Sequence, residues 1–546
     1  MQRLKALKEL NAKLKINVEN VINIADEADD EKVYFFKTSN GDVVINEADL
    51  LDKEKFDYAF ATFAMKIPAT VTPGEWSEIV ELINQLVSTE DEDIEKIFES
   101  FKCTDSGNAE AYAETIISKF LYIPENKQNF LYAVDRWKPD NSGKLIHGFK
   151  NWTRQMHLKA FQIKDEDKRN ALLKHFLKNE SHARIKAMEA LVKSEPGMSK
   201  SIAEFDTEPG LLNLRNGVLD LYNNDLLPHR ADFYLTKITP VEYKPGALAP
   251  AFMKFMEQVT NGDKELQNYI QKAIGYALTG STEEQCIFIL YGTGANGKST
   301  FIETIKTLMA EYAVTVPVEA LLSRASGMAS EIVRLRGARL AITGEPERGA
   351  KLSEGLIKIL TGGDTVTGRG LYKDSEEFTN HAKIMLVTNH LPQIAGTDEG
   401  IWRRIRVIPF TVTIPEEKRD KKLLTKLKAE LPGILNWAVE GCSLWQQEGL
   451  ESPQIVKQWT GRYRDDQDTL RDFLDDCMVR DAKSKILCGE LYAAYTIWCM
   501  NNSEPELARK VFTSSMEERG FQKRKGTAGN LYFYGITQKD SLERIK

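Results

Sequence analysis

The clearest chemistry in the chain lies at Gly292-Thr293-Gly294-Ala295-Asn296-Gly297-Lys298-Ser299, followed by Thr300. The pattern is G-x-x-x-x-G-K-[ST], and each residue type has a physical task. Glycines let backbone amides close around a phosphate. Lys298 supplies a point positive charge, and Ser299 offers a hydroxyl to a magnesium ion. The helix expected to start here adds the dipole of its N-terminus. Gly292, Gly294, Asn296, Gly297, Lys298, Ser299 and Thr300 are therefore the expected nucleotide-binding set, with ATP and Mg²⁺ as cofactors. Further on, the apolar run 338–343 ends in Gly344-Glu345-Pro346-Glu347. After a phosphate loop, such acids serve a metal ion and an attacking water. Glu345 is the expected metal partner and Glu347 the expected water-orienting group, although spacing alone leaves the two exchangeable.

Three more groups complete the candidate constellation. Lys383–Asn389 (KIMLVTN) is an apolar run ending in Asn389, placed to bond a terminal phosphate or the water, or simply to cap a turn. Arg403 and Arg404, in IWRRIR, suit an arginine finger pair supplied to a neighbouring subunit, with ordinary salt bridging as the alternative. The Gly- and Thr-rich segment 357–373 reads as a hairpin, and its Arg369, Tyr372 and Lys373 could meet a nucleic-acid backbone.

These groups act together only if an α/β framework carries them to one place. Cys286–Tyr291 (CIFILY) is a continuous apolar run, as a strand buried on both faces requires, and a helix is expected from Ser299 to about Tyr312. From 251 to 450 such runs alternate with helical stretches, which argues for an α/β core. Residues 100–205 are helical in composition, and Asn213–Leu221 (NLRNGVLDL) reads as short strands and turns. The expected boundaries are 1–110 for an N-terminal accessory domain without assigned chemistry, 111–250 for a preceding domain, 251–450 for the core and 461–546 for a C-terminal unit. Leu4, Leu7, Leu10 and Leu14 mark a short amphipathic helix at the start.

In the C-terminal unit, Asp465–Val479, Leu487–Asn501 and Glu504–Arg519 read as three helices. A hairpin follows through Phe521–Ile536, with Lys523, Arg524 and Lys525 in its first arm. Three helices and a basic hairpin suggest a winged helix whose wing meets DNA phosphates; a protein-docking version is the alternative.

The 546 residues carry 73 basic and 80 acidic side chains, a net charge of −7, which excludes a uniformly basic coating protein but not a basic channel. Six scattered Cys without CxxC and seven His without zinc-like spacing exclude a disulfide scaffold and a zinc site. No apolar run is long enough to span a membrane.

In order, the phosphate loop, Glu-Pro-Glu, IKILTGGDTVTGRGLYK, KIMLVTNHLPQ and IWRRIRVIPF resemble the superfamily 3 helicases of phages, plasmids and poxviruses. NLRNGVLDL, HRADFYLTKITPVEYKPGA and IQKAIGYALTG resemble the domain that precedes that core in phage/plasmid primase–helicases, so the likeness covers about residues 206–460. The chain is also similar to replication initiator–helicases of staphylococcal mobile elements.

The resemblance implies an AAA+-type P-loop ATPase core in a hexameric ring with shared ATP sites. Lys298, Ser299, Glu345, Glu347 and Asn389 would come from one subunit and Arg403 or Arg404 from the next. The Arg369–Lys373 hairpin would grip single-stranded DNA in the pore, with 3′ to 5′ movement. It also implies a replication initiator of a mobile element or phage that binds origin duplex, with cytoplasmic, DNA-associated placement in a bacterial host. One departure matters: no His precedes His147, whereas relatives with a primase domain need one at its metal site. No primase activity is expected, and a separately encoded primase or polymerase is a candidate partner. Two other readings stand beside it: an origin-melting initiator with weak unwinding, and a protein-remodelling NTPase. DNA-stimulated hydrolysis would argue against the latter.

Overall fold

The sheet that positions the candidate site is built from the apolar runs read above. The computed structural model describes residues 33–38, 41–46, 94–323, 329–369, 375–394, 399–502, 504, 506–526 and 529–539. The Leu4–Leu14 stripe and most of 1–110 lie outside them. The chain divides after Glu204 into two units.

In the first unit, β1 (Val33–Thr38) and β2 (Gly41–Asn46) form an antiparallel hairpin. Then α1 (Asp105–Ile116) starts at Thr104, whose Oγ1 accepts from the Gly107 amide at 3.0 Å. The region 100–205 is mainly helical, as expected, with one addition: β3 (Phe120–Ile123), β4 (Gln128–Tyr132) and β5 (Trp137–Pro139) form an antiparallel sheet. Their text is aromatic and β-branched between turns, but each run is too short to show a period. Helices α2 (Lys144–Ala160), α3 (Glu166–Asn179) and α4 (His182–Leu191) follow. Between α1 and α3, Asn108 and Asn179 exchange amide bonds of 3.1 and 3.0 Å, and His175 joins Asn108 at 2.8 Å. Burial pushes His175 down to about 4, so it serves this network neutral.

The second unit begins with the expected strands around Asn213–Leu221, β6 (Leu211–Leu214) and β7 (Gly217–Asp220), followed by β8 (Asp225–Leu227). After α5 (Pro250–Val259) and α6 (Lys264–Leu278) the central sheet starts. Its first strand, β9 (Ile287–Tyr291), leads into α7 (Lys298–Met309), and then come β10 (Ala313–Val316) and β11 (Leu340–Thr343). Helix α8 (Glu354–Gly362) precedes an antiparallel hairpin, β12 (Thr365–Arg369) with β13 (Ser375–Thr379). Strands β14 (Lys383–Thr388) and β15 (Ile405–Pro409) complete the sheet. All five strands are parallel in the order β10-β11-β14-β9-β15. Ile287, Ile289, Ile384 and Leu386 face one core, and Phe288, Leu290 and Met385 the other, which is why these strands read as unbroken apolar runs.

Three helices follow the sheet: α9 (Leu423–Ala429), α10 (Leu431–Glu448) and α11 (Gln454–Asp466). Helix α11 covers the sheet edge, where Thr460 Oγ1 accepts from the Val407 amide at 3.1 Å. Helices α6 and α10 meet at glycines. A Cβ on Gly275 would lie 2.0 Å from the Cys442 nitrogen, and one on Gly441 would lie 2.2 Å from the Gln271 carbonyl oxygen. Gly275→Ala must therefore push two backbones apart, and an expected loss of about 1–3 kcal/mol would appear as a lowered midpoint in thermal unfolding. An unchanged midpoint would refute the close crossing.

The C-terminal unit keeps the three helices read above and adds a strand between the first two. Helix α12 is shorter (Thr469–Cys477), capped by Asp468, which accepts from the Arg471 amide at 3.0 Å. The next ten residues are a strand, β16 (Met478–Leu487), which lacks the alternation that would reveal it and is formed through its partner. Then come α13 (Cys488–Asn502), α14 (Arg509–Glu518), β17 (Gln522–Lys525) and β18 (Leu531–Gln538). The sheet is antiparallel, in the order β16-β18-β17.

Candidate functional site

Strands β11, β14 and β9 are neighbours, and each ends at a residue of the candidate set. Glu345 follows β11, Asn389 follows β14 and Gly292 follows β9. A parallel sheet places such ends on one edge, where ligands of α/β folds bind. The edge opens into a cleft of about 780 Å³, lined by Gly294 to Thr300, Glu345 and Asn389 together with residues of α5 and the 414–426 segment.

The loop's shape requires its glycines. A Cβ on Gly292 would fall 2.2 Å from the Phe410 carbonyl oxygen, and Gly297, at φ +87°, would put one 2.6 Å from Val259 Cγ1. Asn296 is buried and holds the loop to β15's exit, its Nδ2 donating to the Phe410 carbonyl at 2.9 Å. The Ala295 carbonyl accepts from the Ile414 amide at 2.8 Å.

Lys298 is the charged centre. It is 5% exposed and donates to the Gly292 carbonyl (2.5 Å), Asn296 Oδ1 (3.2 Å) and Asn389 Oδ1 (3.0 Å). All three acceptors are neutral. Burial pulls the ammonium below its usual value, and the Glu345 carboxylate pulls it back up. Asn389 stands between the two charges: its Nδ2 donates to Glu345 Oε2 at 2.9 Å, and its backbone amide donates to Glu345 Oε1 at 3.1 Å. A buried cation held only by neutral oxygens, beside loop amides and a helix N-terminus, fits a phosphate chain. For a metal, the protein offers the Ser299 hydroxyl and Glu345 at the cleft. Among the described residues no three His, Cys, Asp or Glu gather around one point. A hard cation here would keep water and phosphate ligands, as Mg²⁺ prefers.

Other expected residues lie elsewhere. Glu347 is exposed on the loop beyond Glu345 and outside the cleft lining. Arg403 and Arg404 precede β15, at the end of the sheet opposite the 292–299 loop. Arg403 is exposed, with Nη2 3.3 Å from Gln285 Oε1. Arg404 is buried, its Nε donating to Thr361 Oγ1 at 3.0 Å and Nη1 to the Gly400 carbonyl at 2.6 Å. Arg369 ends β12, while Tyr372 and Lys373 lie outside the described residues. Lys523, Arg524 and Lys525 are on β17, and Lys523 pairs with Glu517 of α14 at 3.1 Å.

Sequence reading missed the cleft's second wall. Lys254 and Gln258 reach it from α5, and Lys418, Arg419 and Lys426 from the segment after β15. Arg419 is anchored by Nε to the Ile414 carbonyl at 2.9 Å, and Lys426 pairs with Asp420 at 2.6 Å. The run EEKRDKK at 416–422 was the available signal, although charge runs are usually solvated faces.

Residues 109–261 match the family described as D5 N terminal like, and 290–404 match a family of unknown function, DUF5906. A protein of Acanthamoeba polyphaga mimivirus provisionally named helicase L207/L206 is 31% identical over 262 residues, 44% of this chain and 27% of that protein. One of Frog virus 3 (isolate Goorha), provisionally named helicase 022R, is 26% identical over 45% of this chain and 28% of its own length. Primase D5 of Fowlpox virus is 28% identical over 40% of this chain and 29% of its own length. The chain thus spans a little over a quarter of these relatives' length. The likenesses support a phage or viral primase–helicase family. Among the described residues no helix is long and apolar enough to cross a membrane.

Proposed function

We propose that the chain is an ATP-driven DNA helicase and replication initiator of superfamily 3 type, from a phage or mobile element of the staphylococcal kind. The observation that carries this reading is the convergence of Lys298, Asn389 and Glu345 at the ends of three adjacent parallel strands. That is what phosphoryl transfer asks of a protein: position and charge, with little covalent chemistry. Lys298 and the loop amides hold the phosphates of ATP, and Ser299 with Glu345 holds Mg²⁺. Asn389 links the carboxylate to the terminal phosphate and orients the attacking water. Glu347 acts only if its loop swings inward, so Glu345 carries the larger share.

The sheet order, with β14 inserted between the phosphate-loop strand and the acid-bearing strand, supports an AAA+-type core within 251–450. The arginines lie too far from their own phosphate loop to serve it. Strand β9 alone separates them by roughly 16 Å. They therefore serve the next subunit of a hexamer. The β12–β13 hairpin, with Arg369, Tyr372 and Lys373, faces the pore and moves 3′ to 5′ on single-stranded DNA. The C-terminal order helix, strand, two helices, hairpin supports a winged helix, and through it the second reading, recognition and melting of an origin duplex.

The test is ATP hydrolysis by the purified chain with and without single-stranded DNA. DNA is expected to raise the rate several-fold. A rate indifferent to DNA would refute the helicase and favour a protein-directed remodeller.

A further inference from the structure

The three-stranded C-terminal sheet has one face packed and one face open. Ile486 and Phe533 pair across β16 and β18 and lie in the core with Leu491 and Tyr495 of α13 and Phe512 and Met516 of α14. Strand alternation sends the neighbouring positions to the other side. There, Lys485 is opposite Tyr534, and Arg524 is opposite Tyr532. Lys485 and Arg524 are exposed, and both tyrosines are half-buried. The cations cross diagonally: Lys485 Nζ sits 4.8 Å from the Tyr532 ring centre, and the Arg524 guanidinium 5.8 Å from that of Tyr534. Gly526 makes room for this, since a Cβ there would strike Tyr532 Cε2 at 2.7 Å.

We propose that this open face is a stacking platform for single-stranded DNA, in which Tyr532 and Tyr534 each receive a base and Lys485 and Arg524 turn to the flanking phosphates. The inference rests on the nucleic-acid reading of the chain but not on its ATP site. It uses the opposite face of the wing hairpin from Lys523: Lys523 pairs with Glu517 of α14, whereas these four side chains face away from it.

Charge complementarity identifies the occupant. Strands β16 and β17 carry six cations against Asp481 in a chain of net charge −7; Lys523 and Arg480 are held on the packed side by Glu517 and Phe521, while Lys485 and Arg524 stand on the open face. Asp481 is itself bonded to Ser484. Aromatic rings interleaved with cations suit an unpaired strand, whose bases expose their faces. Spacing excludes a stacked duplex: tyrosines two positions apart on a strand are about 7 Å apart, roughly twice the ~3.4 Å rise of stacked bases. Energies favour the exchange as well. A base stacked on an aromatic ring gains more than an exposed cation–π contact does. The freed cation then gains a phosphate.

The experiment uses the full chain without nucleotide and an oligothymidylate carrying 5-iododeoxyuridine. Ultraviolet cross-linking followed by peptide mapping is expected to mark Tyr532 or Tyr534. Tyr532→Leu and Tyr534→Leu should each weaken equilibrium binding roughly 5- to 100-fold, and the Phe variants should bind like the parent. Lys485→Ala and Arg524→Ala should each flatten the salt dependence by about one ion. Cross-links confined to other regions, or Leu variants that bind like the parent, would overturn the platform while leaving the helicase reading in place. A parent chain that binds no single strand would overturn both. Should the Leu variants unfold, the cross-link map and the Phe variants decide.

Discussion

Lys298→Ala is expected to reduce ATP turnover below about a hundredth of the parent rate, the scale set by removing one preorganised charge from a developing transition state, while the fold survives. Both halves follow from the site. Among the described residues the ammonium is the buried cation beside the 292–299 loop in the cleft, and it donates to the Gly292 carbonyl, Asn296 and Asn389. Without it, the loop amides and the α7 dipole still attract phosphate, so binding weakens less than turnover. Stability changes little, because burial already disfavours the charged group and removing it relieves that cost. The acceptors left behind face an open cleft, where water satisfies them. Thermal unfolding and nucleotide titration separate the outcomes. A folded variant hydrolysing at the parent rate would remove the site assignment. A variant that unfolds would show Lys298 to be a structural staple between β9 and β14.

Much of this site was legible from residues alone, for identifiable reasons. A phosphate loop must follow a buried strand and open a helix, so its eight positions fix β9 and α7 together. The two other strands were legible because burial on both faces makes each one an apolar run. Their order in the sheet was not legible, since nothing in KIMLVT says that it lies between IFILY and LAIT. That order is what puts Asn389 against both Lys298 and Glu345. The two acids were inseparable by spacing; both are exposed, but Glu345 lines the cleft and accepts from Asn389, whereas Glu347 lies outside the lining. The strands that escaped, β3 to β5 and β16, are short, mixed in polarity and stabilised by partners distant in sequence. The cations of the 414–426 segment escaped for a related reason. A charged run looks the same whether it faces a ligand or water, and here the bond from Ile414 to Ala295 helps bring it to the loop.

Arg403→Ala is expected to lower DNA-stimulated hydrolysis about 10³-fold, within the range for an arginine finger, and to leave thermal stability unchanged. Arg404→Ala is expected to lower stability. The pair is adjacent in sequence but opposite in environment. Arg404 is 8% exposed and spans from Thr361 on α8 to the Gly400 carbonyl, so its removal leaves a buried cavity and unpaired acceptors. Arg403 projects into solvent with one bond to Gln285, at 3.3 Å, and can be withdrawn at little cost to its own subunit. Reach excludes service in cis, because both arginines precede β15 while the phosphate loop follows β9, its parallel neighbour in register. In the proposed ring, Arg403 would come from one subunit and the cleft from the next. Mixing makes the test specific. Arg403→Ala supplies an intact Lys298, and Lys298→Ala supplies an intact Arg403. Random assembly in equal amounts restores roughly a quarter of the interfaces, so two inactive preparations should regain measurable turnover on mixing. No recovery would exclude Arg403 as the shared residue. Recovery with Arg404→Ala instead would mean that assembly pulls Arg404 out of its pocket between Thr361 and Gly400.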